Sequence, residues 1–202
     1  MNTNLVGFDS SPRLPMLFFP EKNWKKLFAY ADIALGEISG LGTVKLHENG
    51  VDFIVDEIFI LNQVSSIGST DLNSDSIAKF ITDLILEGKD PSSLKLWFHS
   101  HGNLGVFWST TDNTTIQGFS NASYMFSIVV NKRFEYKARL DIFKPLRLSV
   151  ELEVNFENDF LGIDRVEIEK EVTEKVKILP IQTPGKEFSI NKLGPRKRGK
   201  KL

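Results

Sequence analysis

Two of the three histidines of this 202-residue chain stand one residue apart, His99 and His101, at the end of the apolar run Leu96-Trp97-Phe98. That run reads as a buried strand, and residues i and i+2 of a strand point to the same face. The two imidazoles can therefore aim at one point, which a metal ion requires and a packed core does not. The glycine-containing loop that follows, Gly102 to Trp108, can fold back and deliver Asp112 as a third ligand. Two neutral imidazoles and one carboxylate form the donor set of an open catalytic zinc site, with the fourth position left to water.

The spacing H-x-H-x(7)-S-x-x-D, carried by His99, His101, Ser109 and Asp112, resembles the signature of the JAMM/MPN-plus metallopeptidases. That family includes zinc-dependent isopeptidases that remove ubiquitin-like modifiers. The resemblance implies a further glutamate well upstream, between a helix and a strand, and Glu37 in Glu37-Ile38-Ser39-Gly40-Leu41-Gly42 fills that place. It extends roughly from Pro20 to Val130 by order of elements, with the specific residues confined to two short segments. It implies a single α/β domain of MPN type, cytidine-deaminase-like, with a twisted mixed sheet flanked by helices. It also implies Zn2+ on His99, His101 and Asp112, Glu37 as general acid and base, and Ser109 as donor to the developing oxyanion. The sequence departs from the family at Gly102, where many relatives carry proline. That puts the loop's geometry in question and touches no ligand.

The elements that must position these residues are legible in outline. Met16-Leu17-Phe18-Phe19 is a strand stopped by Pro20, which opens a helix over 21–35 with Trp24, Leu27, Phe28, Ala31 and Leu35 at helical spacing. Strand-like runs over 41–47 and 51–61 flank Glu48-Asn49-Gly50, a hairpin signal. His47, on the first of them, reads as an edge histidine and not a ligand. A polar loop over 65–73 leads to a helix over 75–87, with Ile77, Phe80, Ile81, Leu84 and Ile85 as its apolar stripe. After the histidine strand come a helical turn over 113–117 and strands over 124–130 and 134–143. A single alternating strand then covers 146–156, followed by an amphipathic helix over 164–178. Phe107 and Trp108 read as packing beneath the site.

Composition narrows the class. An apolar fraction of 41% with 25% charged residues is ordinary for a globular protein, and a net charge of −1 gives no general attraction to nucleic acid or membrane. With no cysteine there is no thiolate zinc site and no cysteine nucleophile. No secretory signal and no apolar run of membrane-spanning length is visible, so the cytoplasm is the expected compartment. The division expected is a flexible arm over 1–15, the catalytic domain over 16–179, and a basic, disordered tail over 180–202. The tail's last stretch, 191–202, has lysine and arginine but no acid. It reads as a solubilising end, because no aromatic residue is interleaved for base stacking.

Rival readings assign the same residues differently. Two histidines and a carboxylate also make the facial triad of non-haem iron oxygenases, but that leaves Glu37 and Ser109 without a task. A catalytically silent scaffold or partner-binding module of the same fold is the alternative to an enzyme, although no ligand of the set is missing. A pair of core histidines that happen to be neighbours is the bland reading. The expected partner is a peptide or a ubiquitin-like conjugate. Compact cysteine-free chains of this kind resemble prokaryotic and phage-type family members, for which a plain peptide substrate is equally open.

Overall fold

The structure is a computed structural model and describes residues 13–66, 69–72, 74–157 and 162–179. In chain order the elements are β1 (Leu17–Pro20), α1 (Glu21–Ile33), β2 (Ser39–Leu46), β3 (Phe53–Ile60), β4 (Gln63–Ser66) and β5 (Ser69–Leu72). There follow α2 (Ser74–Leu86), β6 (Leu94–Ser100), α3 (Thr110–Gly118), β7 (Tyr124–Val130) and β8 (Tyr136–Ile142). The last are β9 (Leu148–Leu152), β10 (Val154–Glu157), α4 (Arg165–Lys175) and β11 (Val176–Ile178). The protein is thus a mixed α/β fold. Its main sheet has eight strands in the order β10-β1-β3-β2-β6-β7-β8-β9, and a second sheet has three in the order β11-β4-β5.

The large sheet is strongly curled. The Phe53 ring on β3 lies 5.1 Å from Phe126 and 5.4 Å from Tyr124 on β7. β2 and β6 lie between them, and in a flat sheet those three strand spacings would separate the backbones by about 14 Å. The main core fills the concave side: Phe19, Val55, Ile58, Phe98, Phe126 and Ile128 pack there with Leu27, Phe28 and Tyr30 of α1. Ile168 and Val172 of α4 join them. A smaller cluster on the other face joins Leu41, Leu61, Trp97, Ile116 and Met125.

Several expectations need correction. The polar segment over 65–73 is no simple loop: it supplies the end of β4 and all of β5, which pair antiparallel, while β11 adds parallel to β4. Main-chain pairing holds this sheet, so its serines and threonine carry no hydrophobic signal. The run over 146–156 is two strands: β9 pairs with β8 at one sheet edge and β10 with β1 at the other. Alternation fixes which way side chains face and says nothing about the pairing partner, and the curl lets one extended chain serve both edges. The last helix stops at Lys175; Val176 is buried as its spacing demands, but it begins a strand. Helix α1 ends at Ile33, leaving Leu35 at 82% exposure outside its stripe. On α2 only Leu84 is buried, and Ile85 is exposed.

No helix among the described residues is long and apolar enough to cross a membrane. The basic tail over 180–202 and most of the 1–15 arm lie outside the described residues. Arg13, at the end of that arm, is held against Asp52.

Candidate metal centre

Strand β6 runs antiparallel to β2, with His99 opposite Ser39, and parallel to β7, with His99 opposite Val129. This register carries Glu37, two residues before Ser39, to the end of the histidine strand. Ile38 fastens the junction: its carbonyl accepts from Ser100 N–H at 2.8 Å, and its N–H donates to Ser100 Oγ at 3.0 Å. Glu37 Oε2 then lies 3.5 Å from His99 Nε2. Asp112 arrives on α3, with Oδ1 3.7 Å from His99 Nε2 and Oδ2 3.4 Å from His101 Nε2. All four side chains are buried. Among the described residues His99, His101 and Asp112 form a group that can hold a metal ion, with ligand atoms within 4.8 Å of one another.

The hydrogen bonds fix the ring chemistry. His99 Nδ1 lies 3.0 Å from the Ile38 carbonyl, and His101 Nδ1 lies 2.9 Å from the Gly105 carbonyl. A carbonyl only accepts, so each Nδ1 carries a hydrogen and each ring turns its Nε2 toward the carboxylates. Lone pairs facing carboxylate oxygens repel unless a cation or a proton stands between them. Orientation by a backbone carbonyl through the far nitrogen is also how metal-binding imidazoles are held. Ligand atoms around a tetrahedral zinc, with bonds of about 2.0–2.1 Å, stand about 3.3 Å apart, close to the spacings seen here. The residues present therefore fit a divalent ion.

Burial works against a charged His101, but the Asp112 carboxylate and the Gly105 carbonyl outweigh it and raise its pKa. Burial works to raise the Asp112 pKa, yet the hydrogen bonds of His101 and of the Ser109 N–H and hydroxyl, with His99 nearby, pull it down to about 2. Asp112 is thus a carboxylate in any ordinary buffer. It is held by a capping box: Ser109 N–H donates to Asp112 Oδ2 at 2.8 Å, and Asp112 N–H donates to Ser109 Oγ at 3.0 Å. The helix therefore starts at Thr110, earlier than the turn expected over 113–117, with Ser109 as its N-cap. The Ser109 hydroxyl accepts from Asp112 N–H in the cap.

Five residues singled out from the sequence, Glu37, His99, His101, Ser109 and Asp112, are brought together. His47 is not among them; it stacks on Phe18 at 5.1 Å. Phe107 is not core: it is 49% exposed with its ring edge-on to His101 at 4.6 Å. Trp108 packs against the smaller cluster under the Arg139 guanidinium, 4.5 Å from its ring. Sequence reasoning missed Ile38 and Gly105, whose carbonyls orient the rings, because carbonyl roles leave no mark on residue type. It also missed Gln63, whose side chain accepts from Ser39 N–H at 2.8 Å and donates to Ser39 O at 2.9 Å. Gly102 has φ +53°, a conformation closed to proline. The chain matches no protein-family model and no curated protein.

Proposed function

We propose that this protein is a zinc-dependent metallopeptidase of JAMM/MPN type that hydrolyses an amide, a peptide or isopeptide bond. One observation carries the reading: a carboxylate, Glu37, approaches the His99–His101–Asp112 group from a separate part of the chain without being needed as a ligand. Three protein ligands leave the fourth position of a zinc site open to water, and Glu37 stands beside it outside the three-residue group. When bound, zinc supplies Lewis acidity and makes water nucleophilic at neutral pH. His99, His101 and Asp112 would hold the ion through Nε2, Nε2 and a carboxylate oxygen. Glu37 takes the proton of the attacking water on its carboxylate and returns it to the departing amine. The Ser109 hydroxyl donates to the oxyanion that develops on the attacked carbonyl. Ser109 is not assigned as a nucleophile, because its hydroxyl is engaged in the cap of α3.

The curled mixed sheet with α1 on its concave side is consistent with the MPN-type architecture that the motif implies. Gly102 departs from the family pattern and leaves the ligands converging. A ubiquitin-like conjugate is the leading substrate class, by resemblance alone. The test is metal analysis of the purified protein beside His99→Ala, together with cleavage of modifier-linked and plain peptide substrates. Stoichiometric zinc and cleavage, both lost in His99→Ala, support the proposal. A protein that takes up zinc yet cleaves neither substrate class defeats it.

A further inference from the structure

The loop that leaves His101 has one hydrogen bond of its own, from Leu104 N–H to His101 O at 2.9 Å. It begins at Gly102, at φ +53°, where a Cβ would meet nothing within 4 Å, and its next residues are exposed. Yet four consecutive carbonyls of this loop are each engaged. Gly102 O accepts from Lys132 N–H at 2.8 Å, and Asn103 O from the Arg133 guanidinium at 2.8 Å. Leu104 O accepts from the Asn131 amide at 2.9 Å, and Gly105 O accepts from Nδ1 of His101. The clamp belongs to the turn between β7 and β8.

Asn131 is its buried hub, with no exposed surface. Its Oδ1 accepts from Arg133 N–H at 3.0 Å and Glu135 N–H at 3.1 Å, which shapes the turn. Its Nδ2 donates to Leu104 O and, at 2.6 Å, to Glu135 Oε2. Both donor hydrogens and both acceptor positions of the amide are used. The Arg133 side chain, by contrast, is half exposed, so its bond to Asn103 competes with water.

We infer that Asn131 is a positioning residue for His101: by fixing Leu104 it holds the Gly105 carbonyl where it keeps a hydrogen on Nδ1 and turns Nε2 toward Asp112. This rests on the metal-centre reading above, and Asn131 touches neither the ligand atoms nor a substrate. Loss of the partner that orients a ligand typically weakens metal binding about 10–100-fold, so that is the loss expected for Asn131→Ala.

The experiment compares Zn2+ affinity, by competition with a chelator, and the Co2+ absorption spectrum in wild type, Asn131→Ala and the double variant Asn131→Asp/Glu135→Gln. The double variant keeps acceptors for the turn, a hydrogen bond to residue 135 and the local net charge; it removes the donor to Leu104, and with it the half-exposed Arg133–Glu135 ion pair. Both variants should bind Zn2+ about 10–100-fold more weakly, with altered Co2+ bands, and a cooperative melt of each confirms that it is folded. Folded variants with wild-type affinity and spectrum overturn the inference, and so does failure of both to fold, which would make Asn131 a determinant of the fold alone. If wild type itself takes up no metal, the reading of the site falls, and nitrogen NMR of the metal-free His101 ring still decides. An Nδ1–H tautomer in wild type that becomes mixed in the variants supports the positioning role, and an unchanged tautomer sinks it.

Discussion

Glu37 donates its main-chain N–H to the Ser66 carbonyl at 2.9 Å, and this bond makes the smaller sheet a working part of the site. The Ser65 hydroxyl donates back to the Glu37 carbonyl, so the residue is held on both sides by β4. On its far side β4 pairs with β11, and Leu179 N–H reaches Ser65 O at 2.9 Å. The carboxylate assigned as base therefore rests on strands drawn from two distant parts of the sequence.

Gly36 tests that support. A Cβ there would stand 2.5 Å from the Ser66 carbonyl oxygen, and backbone cannot yield as a side-chain tip does. Gly36→Ala is expected to cost about 1–3 kcal/mol by overpacking and to lower amide cleavage by displacing Glu37. Metal content should not change, because the ligands lie on other elements. Urea unfolding and metal analysis of the same preparation read both; unaltered stability would mean that the two segments part freely.

Glu37→Gln separates base from ligand. The amide is nearly isosteric but cannot accept and return a proton, so cleavage should fall by about 10²–10⁴-fold with zinc stoichiometry intact. Loss of zinc in this variant would show Glu37 to be a ligand instead and would remove the assigned base.

What the sequence disclosed and what it hid divide along a physical line. The i, i+2 histidines and strand β7 were readable because side-chain period is local, whereas the Ser109–Asp112 capping box, which starts α3 at Thr110, was not read from its spacing. The small sheet was not, since Ser65, Ser66 and Thr70 look like loop and their sheet depends on β11, more than a hundred residues later. Nor was the division of 146–156 between two sheet edges, which depends on the curl. The convergence of His99, His101 and Asp112 was legible; the carbonyls and amides that aim them were not.

Ser109 has two tasks that substitution can separate. Ser109→Ala removes the cap of α3 and should cost about 0.5–2 kcal/mol, whereas Ser109→Gly should cost only a few tenths. Both remove the hydroxyl, so both should reduce cleavage about 10²–10³-fold if it serves the oxyanion. Thermal melts beside single-turnover assays decide. Cleavage that tracks stability, with glycine close to wild type, would confine Ser109 to the cap.

Metal occupancy should appear as stability. A ligand that binds only the folded chain adds about 2.7 kcal/mol when present at 100 times its dissociation constant. Chelator treatment should lower the melting temperature of wild type and excess zinc should restore it. His99→Ala should not respond to either. A wild-type melt indifferent to zinc would argue against a site formed in the folded state.

Asp52 predicts a pH effect far from the metal centre. Its buried carboxylate accepts from Arg13 Nη1 at 2.6 Å and Nη2 at 2.9 Å, from Met16 N–H at 2.8 Å and from the Asn49 amide at 2.7 Å. The Arg13 guanidinium, helped by Met16 and Asn49, outweighs burial and holds the carboxyl well below its usual range. A depressed folded-state pKa stabilises the fold fully above the unfolded value of about 3.9 and loses that contribution as pH falls below it. Asp52→Asn should therefore be less stable than wild type at pH 7, and the difference should shrink steadily below about pH 4. Urea unfolding at pH 7, 5 and 3 measures the gap. A gap that stays constant to pH 3 would mean that the Asp52 charge contributes nothing to pinning β1 beside the turn between β2 and β3.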